Sequence, residues 1–278
     1  MINPVKMGIH AAVIAFLLAS SGVHADSKPV TCNLCDLRYQ TFTGKNLNGS
    51  SFEGAYLFNT DWQRASLIGV NFSSANLVLS KFNRADLTKA IFTKADLTRA
   101  AFYGATLRGA NLRFAKFAEA NLDAAELTDA DLTTANLSGA VLTRSFSNRA
   151  VIRSADLRGA NLSGGNFRNA EFIGSNMTGA ILTEASLTLA RLSRANLTGA
   201  NLSGADQVVQ RPDGLFKGGG CVEAVDEVDV DAVRVEPDER VLHRLQDAVP
   251  GQAPVVGTVP HCAGIRLPTP VFRLETTD

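Results

Sequence analysis

The feature that most constrains this chain is a repeat of five residues. From Leu37 to Leu202 every fifth residue is apolar, which gives 34 positions with Ser147 as the one exception. A small residue, most often alanine, precedes most of the large apolar residues by two positions, with Gln40 and Lys45 among the exceptions. A helix alternates apolar spacings of three and four, and a strand uses a spacing of two, so neither produces this period. The repeat therefore excludes an ordinary helical or sheet domain over this stretch.

Each position is numbered here from the large apolar residue of its repeat, called i. Residues i−2 and i are expected to point inward and the other three outward, which suits a short extended segment followed by a tight bend. Four such bends close a square coil of 20 residues, so that residues 20 apart share a wall. Stacked at the usual strand spacing of ~4.8 Å, the repeats predict about 8.5 coils and a rod roughly 40 Å long.

The repeat pattern resembles the pentapeptide repeat family, whose motif is A-(D/N)-L-x-x. Two of the clearest matches are Ala85-Asp86-Leu87-Thr88-Lys89 and Ala195-Asn196-Leu197-Thr198-Gly199. The resemblance covers about 60% of the chain and implies an all-β fold, a right-handed quadrilateral β-helix, over residues 37–206. Within that fold, Asn and Asp at i−1 are expected to bond nearby backbone groups. Glycine at i+2 suggests that the bend needs a positive φ.

The residues expected inside the rod differ along its length. Residues 20 apart form two aromatic columns on opposite walls in the N-terminal half, namely Phe42, Trp62, Phe82 and Phe102, and Phe52, Phe72 and Phe92. Ser147 falls between Leu127 and Phe167 in a third column, and we expect Phe167 to fill part of the space that Ser147 leaves. Phe146, at i−1, is expected to point outward. The alternative is that a bulge turns it inward.

The first 25 residues have the features of a signal peptide: Lys6, a short apolar core at 11–18, and Val23-His24-Ala25 as the cleavage pattern. A buried hydrophobic helix is the other interpretation. Cleavage near Ala25 predicts a periplasmic or secreted protein, and no later segment is long and apolar enough to predict a membrane span.

Two pairs of cysteines lie outside the main repeat. Cys32 and Cys35 form a C-x-x-C in an N-terminal segment, 26–36. We favour a structural disulfide, as expected in an oxidising compartment, over a redox-active pair or a metal site. Cys221 and Cys262 are a second candidate pair in a C-terminal tail, 207–278, which has no repeat. The tail is interpreted as irregular, or as sequence outside the native reading frame.

No catalytic constellation is present, so the chain is predicted not to be an enzyme and to need no cofactor or metal. All histidines lie outside the repeat, at His10, His24, His243 and His261, which removes the usual general base from the rod. Function is therefore expected on the outer surface. The candidate residues form an apolar set, Tyr56, Phe58, Val78 and Leu79, and a basic set at four successive i+2 positions, Arg84, Lys89, Lys94 and Arg99.

Three functions fit these observations. The first is an exported scaffold that is structural or binds another protein, with a second copy of the chain left open as the partner. The second is a DNA mimic that binds gyrase, as some pentapeptide repeat proteins do. Lys and Arg outnumber Asp and Glu by 19 to 14 between residues 26 and 205, the wrong sign for such a mimic, and no nucleic-acid partner is expected. The third is a thiol redox or metal module at Cys32 and Cys35.

Overall fold

The computed structural model describes residues 29–206 of the chain. Over this range the backbone repeats every five residues as a single bridging residue, an extended residue, a two-residue turn and a linking residue. The described part contains no helix and no strand longer than one bridging residue. All bridges are parallel and join residues 20 apart, from Thr31–Ser51 to Ser186–Asp206. Four repeats therefore make one coil, and the quadrilateral β-helix predicted from the sequence is confirmed.

The four walls of the rod are numbered by their first large core residue. Wall 1 carries Leu37, wall 2 Phe42, wall 3 Leu47 and wall 4 Phe52, each followed by the residue 20 positions later. The i+2 residue of each repeat forms the corner at the end of its wall. The pattern begins slightly before the predicted start, because Thr31 already bridges to the next coil and Cys32 is buried five residues before Leu37. The predicted signal peptide, the tail, Cys221 and Cys262 lie outside the described residues.

Backbone hydrogen bonds hold the coils together in a fixed pattern. In the repeat centred on Phe72, the N–H of i−1 donates to the preceding coil, and the N–H groups of i and i+2 donate to the next coil, at 2.7–2.9 Å. The N–H of i+3 closes the turn on the carbonyl of Phe72 at 3.1 Å. Only the N–H of i+1 has no backbone acceptor within this repeat. An unpaired amide at that point would weaken the wall, since polar backbone groups need partners.

Asn and Asp at i−1 supply the missing acceptor. The Oδ1 of Asn71 accepts the N–H of Ser73 at 2.9 Å, and many other repeats use the same bond. The predicted role of the Asn and Asp residues is confirmed. Where i−1 has no such side chain, an asparagine from the preceding coil can replace it. Asn48, for example, accepts the N–H of Ile68 at 2.7 Å.

Every corner residue has a positive φ. The angles lie between 53° and 68° at each i+2 position from Leu34 to Gly204. The expectation drawn from glycine is therefore confirmed, and it also holds for 22 non-glycine residues. For each of those residues the left-handed backbone conformation is less favourable than the right-handed one by about 1 kcal/mol or more. The ladder between coils must offset that cost, because the corner geometry is the same whichever side chain is present.

The two aromatic columns predicted for the N-terminal half are confirmed. Phe42, Trp62, Phe82 and Phe102 are stacked in sequence on wall 2, with centroid distances of 4.2, 6.1 and 4.8 Å. The rings of Phe52, Phe72 and Phe92 stack on wall 4 at 5.4 and 5.2 Å. The two columns meet edge to face across the rod axis, as between Phe52 and Trp62 at 5.3 Å. These geometries are the favoured ones for aromatic pairs.

Trp62 requires a polar partner inside this apolar core. Its Nε1–H donates to the hydroxyl of Thr60 at 2.7 Å, and that hydroxyl donates to the carbonyl of Leu57 at 2.7 Å. Ser80, one coil later, lies 2.9 Å from the Thr60 hydroxyl and donates to the same carbonyl. The hydroxyl side chains at two i−2 positions, where alanine is usual, are thus explained by the tryptophan.

Replacing Thr60 with valine tests this network. Thr60→Val keeps the side-chain shape but leaves the buried N–H of Trp62 without its acceptor, so we expect a loss of about 1–3 kcal/mol in the free energy of unfolding. The control is Ser175→Ala, which removes a buried hydroxyl that donates only to the carbonyl of Phe172. It should cost less than about 1 kcal/mol. If chemical denaturation gives equal losses of unfolding free energy for the two variants, the hydrogen bond from Trp62 contributes no more than that of an ordinary buried hydroxyl.

The core of wall 3 has unusual residues near Ser147. Phe146 is 53% exposed and bridges in register to both neighbouring coils, so the outward orientation is correct and the alternative bulge is wrong. Ser147 is fully buried, and its hydroxyl lies 3.2 Å from that of Ser145. One coil later, the Phe167 ring lies over Gly165 in its own repeat, where a Cβ would come within 2.5 Å of the ring. That Phe167 also fills the space beside Ser147 stays a prediction.

The contact between Phe167 and Gly165 makes a second stability prediction. Gly165→Ala places a methyl group in the position occupied by the ring, so we expect a cost of about 1–3 kcal/mol. In a Phe167→Leu background the same change should cost less than about 1 kcal/mol, because alanine is the usual residue at i−2. The free energies of unfolding of the unaltered protein, the two single variants and the double variant measure the coupling between residues 165 and 167. A cost that does not depend on residue 167 would contradict the explanation.

Candidate functional site

The predicted apolar residues lie together near the N-terminal end of wall 1. Tyr56 and Leu79 are 54% and 40% exposed, while Phe58 and Val78 are half-buried. Tyr56 bridges to the coils on both sides, and the N–H of the corner residue after Phe58 donates to the carbonyl of Val78 at 2.9 Å. The predicted neighbourhood of Phe58 and Val78 is thus present in the structure.

Tyr39 joins this group, although the sequence reasoning did not find it. It is 64% exposed, its ring contacts that of Phe58 edge to face at 5.6 Å, and its N–H donates to the Phe58 carbonyl at 3.0 Å. Counting in intervals of 20 residues places Tyr39 next to Asn59 and not next to Phe58. The ladder, however, joins corner residues to residues 19 positions later. A search at that second interval could have found the pair.

These five residues, Tyr39, Tyr56, Phe58, Val78 and Leu79, are called the aromatic surface. It occupies outward positions that in most repeats carry polar or charged side chains. Leu79 is a corner residue with a φ of 61°, a conformation that its side chain does not favour and that keeps it exposed. Grouped exposed apolar side chains are typical of contact sites, whereas single ones are ordinary.

The predicted basic residues lie at four successive corners of one turn of the rod. Arg84, Lys89, Lys94 and Arg99 are all exposed, with φ between 57° and 61°. Because each belongs to a different corner, the structure places them around the rod and not on one flat surface. Arg99 follows Leu79 on the same column of corners, next to the aromatic surface.

Arg99 differs from the other three because it is paired. Its Nε lies 2.7 Å from a carboxylate oxygen of Glu119 on the next coil. That hydrogen bond raises the pKa of Arg99 and lowers the pKa of Glu119. Arg84, Lys89 and Lys94 belong to none of the ion pairs described between residues 29 and 206. The repeat pattern alone does not separate them, because pairing depends on which carboxylate lies one coil away.

The structure joins Cys32 and Cys35 through a disulfide at the first turn of the rod. Both side chains are buried, at 2% and 3% exposure. Cys32 occupies a core position and Cys35 the i−2 position that follows, so the disulfide closes a single turn of the first coil. Between residues 29 and 206, no three His, Cys, Asp or Glu side chains are grouped to hold a metal ion. The same range has no helix with the length and hydrophobicity of a bilayer span.

Ion pairs on the outer walls connect neighbouring coils, and Asp123 is the most enclosed acid among them. Its side chain is 15% exposed, it pairs with Arg144, and it accepts the Thr143 hydroxyl at 2.7 Å. The hydrogen bond from Arg144 holds the pKa of Asp123 below its ordinary value, against the opposing effect of burial. The folded state therefore binds a proton at Asp123 less readily than the unfolded state does.

The ion pair between Asp123 and Arg144 predicts how the stability of the rod depends on pH. The stability that Asp123 provides is present above the ordinary carboxyl pKa and is lost as the pH falls through its lower folded-state pKa. Asp123→Asn should cost about 0.5–1 kcal/mol near neutral pH, and the cost should shrink as the pH falls below the ordinary carboxyl range. The control, Glu184→Gln, removes an acid that belongs to no described ion pair and should change little. Thermal unfolding across pH checks both, and an Asp123→Asn effect independent of pH would contradict the pairing.

Known proteins share the five-residue repeat of this chain. A family model described as pentapeptide repeats matches with eight copies, over residues 50–88, 80–109, 107–144, 150–188 and 176–206. A similar solved structure is HetL, a pentapeptide repeat protein involved in heterocyst differentiation regulation from the cyanobacterium Nostoc sp. strain PCC 7120. The two are 28% identical over 69% of this chain and 90% of HetL, with a TM-score of 0.56.

Two further solved structures are similar to this chain at lower identity and with lower TM-scores. Trypsin-treated QnrB1, a plasmid-mediated fluoroquinolone resistance protein, is 22% identical over 79% of this chain and 99% of its own, with a TM-score of 0.42. Rfr23, a pentapeptide repeat protein from the cyanobacterium Cyanothece 51142, is 21% identical over 63% of this chain and 89% of its own, with a TM-score of 0.20. No curated protein is similar enough to the chain to give a match.

Proposed function

Because the chain belongs to the pentapeptide repeat family, we propose that it is an exported, non-enzymatic scaffold whose aromatic surface binds another protein. Family membership supports a rod that presents side chains on fixed walls. The specific part of the proposal, a protein partner on wall 1, depends on what those walls display.

The aromatic surface is the observation that carries this proposal. Tyr39 and Tyr56 each present an aromatic body with a polar hydroxyl, at 64% and 54% exposure. Tyrosine is enriched at protein interfaces because it contributes contact area and a hydrogen-bonding group with few rotatable bonds. The core of the rod does not need these residues, since the same outward positions elsewhere carry Asn, Asp, Ser or Thr.

Export is supported by the N-terminal sequence. A positive residue, an apolar core of eight residues at 11–18 and the small residues before Ala25 are typical of a cleaved signal peptide. The disulfide between Cys32 and Cys35 fits an oxidising compartment such as the periplasm or the outside of the cell. Its burial favours a structural role over redox catalysis, which needs an accessible thiolate.

The DNA-mimic alternative is less well supported. Such a mimic requires a continuous acidic surface, whereas the described carboxylates are largely bonded to basic side chains or to their own turns. Export would also separate the protein from cytoplasmic topoisomerases. The scaffold is therefore the function that fits best.

Affinity capture from the envelope and extracellular fractions tests the proposal. The bait is the full chain expressed in the source cells, compared with Phe58→Asp as the altered aromatic surface. Asp places a charge in the centre of the surface, so we expect a partner retained by the bait to be lost from the variant by tenfold or more, about 1.4 kcal/mol. The control, Phe114→Asp, changes an exposed phenylalanine at a corner of wall 4, away from the aromatic surface.

The capture experiment needs accompanying measurements of folding, self-association and the N-terminus. Circular dichroism and thermal unfolding must show that both variants fold. Light scattering then establishes whether the captured partner is a second copy of this chain. N-terminal sequencing of the purified protein should begin at Asp26, and a protein that retains Met1 would contradict export. Equal capture by the bait and by Phe58→Asp would show that the aromatic surface is not the binding site.

A further inference from the structure

Five basic residues in two neighbouring coils lack the carboxylate partners found elsewhere on the rod. They are Arg64, Lys81, Arg84, Lys89 and Lys94, and all are exposed. No ion pair described between residues 29 and 206 includes any of them. Beyond them along the chain, basic residues from Arg99 to Arg191 are mostly paired, often with an acid one coil away. We call these five residues the cationic surface.

The cationic surface is uncovered at the corner column that holds Arg64 and Arg84. Arg64 and Arg84 are successive residues of one corner column, at about the 4.8 Å spacing of stacked coils. The next residues of that column in either direction are Gly44 and Gly104, which have no side chain to cover the two guanidinium groups. Like charges on neighbouring side chains repel one another, so two successive arginines in this column are unfavourable for the rod alone.

Two carboxylates lie within the same coils, but each is bonded within the wall. Asp61 accepts the backbone N–H of Gln63 at 3.0 Å and its side-chain amide at 2.9 Å. Asp86 accepts the backbone N–H and the hydroxyl of Thr88, at 3.0 and 2.6 Å. Both are half-buried and serve the turn geometry common to many repeats. Five cations against these two acids leave the surface positive.

The arrangement of the five cations fits a flexible ligand. Arg84, Lys89 and Lys94 lie at three successive corners, so a path through them turns around the rod. A flat membrane touching one wall reaches only the two corners of that wall. Duplex DNA is too stiff to follow such a turn, because its persistence length is about 50 nm. A flexible chain of negative charges can contact all three corners.

We propose that the cationic surface binds an anionic polysaccharide. The choice over single-stranded nucleic acid rests on two points. Single-stranded nucleic acid is usually held by exposed aromatic side chains on which bases stack. Two exposed rings lie one coil beyond these cations, and a basic side chain lies over each: the guanidinium of Arg84 is 6.0 Å from the Tyr103 centroid, and that of Arg113 is 5.7 Å from the Phe114 centroid. Outside the cytoplasm, where the proposed function places the protein, acidic polysaccharides are also the flexible polyanions to be expected.

Polar side chains between the cations suit a sugar chain. Gln63 and Asn83 lie on wall 2 beside Arg64 and Arg84, and Thr88 and Thr93 precede Lys89 and Lys94 on the next two walls. Amide and hydroxyl groups can hydrogen-bond to sugar hydroxyls while the cations bind carboxylate or sulfate groups. Lys81 adjoins Leu79 of the aromatic surface, but Arg84, Lys89 and Lys94 lie at the corners of walls 2 to 4, so these three can be tested independently of the protein partner.

The test compares binding of the full chain to two polysaccharides, polygalacturonate and heparin, which carry carboxylate and sulfate groups respectively. The altered protein combines Arg84→Asn, Lys89→Asn and Lys94→Asn. Asparagine tolerates positive φ and already occupies two corners of the rod, at Asn59 and Asn169, so the fold should persist. Loss of three exposed charge contacts should raise Kd by roughly tenfold. The affinity of the unaltered chain should fall as salt rises.

A second triple variant controls for net charge. Arg149→Asn, Arg153→Asn and Arg158→Asn remove the same number of charges from a distant part of the rod, where each arginine is paired. Its Kd should change less than about threefold, even though it uncovers carboxylates. Failure to bind either polysaccharide, or an equal loss in both variants, would overturn the proposal. Tighter binding to a single-stranded oligonucleotide or to anionic vesicles would also overturn it. Binding that survives Phe58→Asp separates this site from the aromatic surface.

Discussion

The structure depends on one interaction, the backbone ladder that joins residues 20 apart. It uses three of the five N–H groups in a typical repeat; a fourth closes the turn within the repeat, and the fifth donates to an Asn or Asp side chain. Because the ladder involves backbone atoms, it places the same demand on every repeat whatever the outward residue is. Residues as different as Leu189, Arg84 and Gly104 therefore share one corner conformation, with φ near 60°.

This division between backbone and side chains explains where function can lie. Inward positions are limited by volume, as alanine at i−2 and a large apolar residue at i demonstrate. Departures from that rule are compensated locally: Thr60 and Ser80 serve Trp62, and Gly165 makes room for Phe167. Outward positions have no comparable limit on volume, although Asn or Asp is favoured at i−1 and the corner residue must adopt a positive φ. The aromatic surface and the cationic surface are groups of outward residues that the fold tolerates without requiring, so binding is the simplest reason for their composition.

Much of the fold could be predicted from the sequence because the period is visible in single residues. The register, the aromatic columns and the outward position of Phe146 all follow from counting in fives and twenties. The site was harder to predict. Tyr39 meets Phe58 along a ladder bond that links residues 19 apart, and only that geometry reveals the contact. Whether Arg84 and Arg99 are paired depends on the side chains one coil away and on their rotamers, which a repeat pattern does not encode.

The central claim is that the ladder carries the fold and that the two surfaces are available for binding. Hydrogen–deuterium exchange of the full chain, compared with a variant that combines Phe58→Asp and Arg84→Asn, tests it most directly. The account predicts that amides in the ladder from Thr31 to Asp206 keep their protection in the variant, coil by coil. Loss of protection spreading from the altered coils would contradict it, because the surfaces would then be part of what holds the rod together.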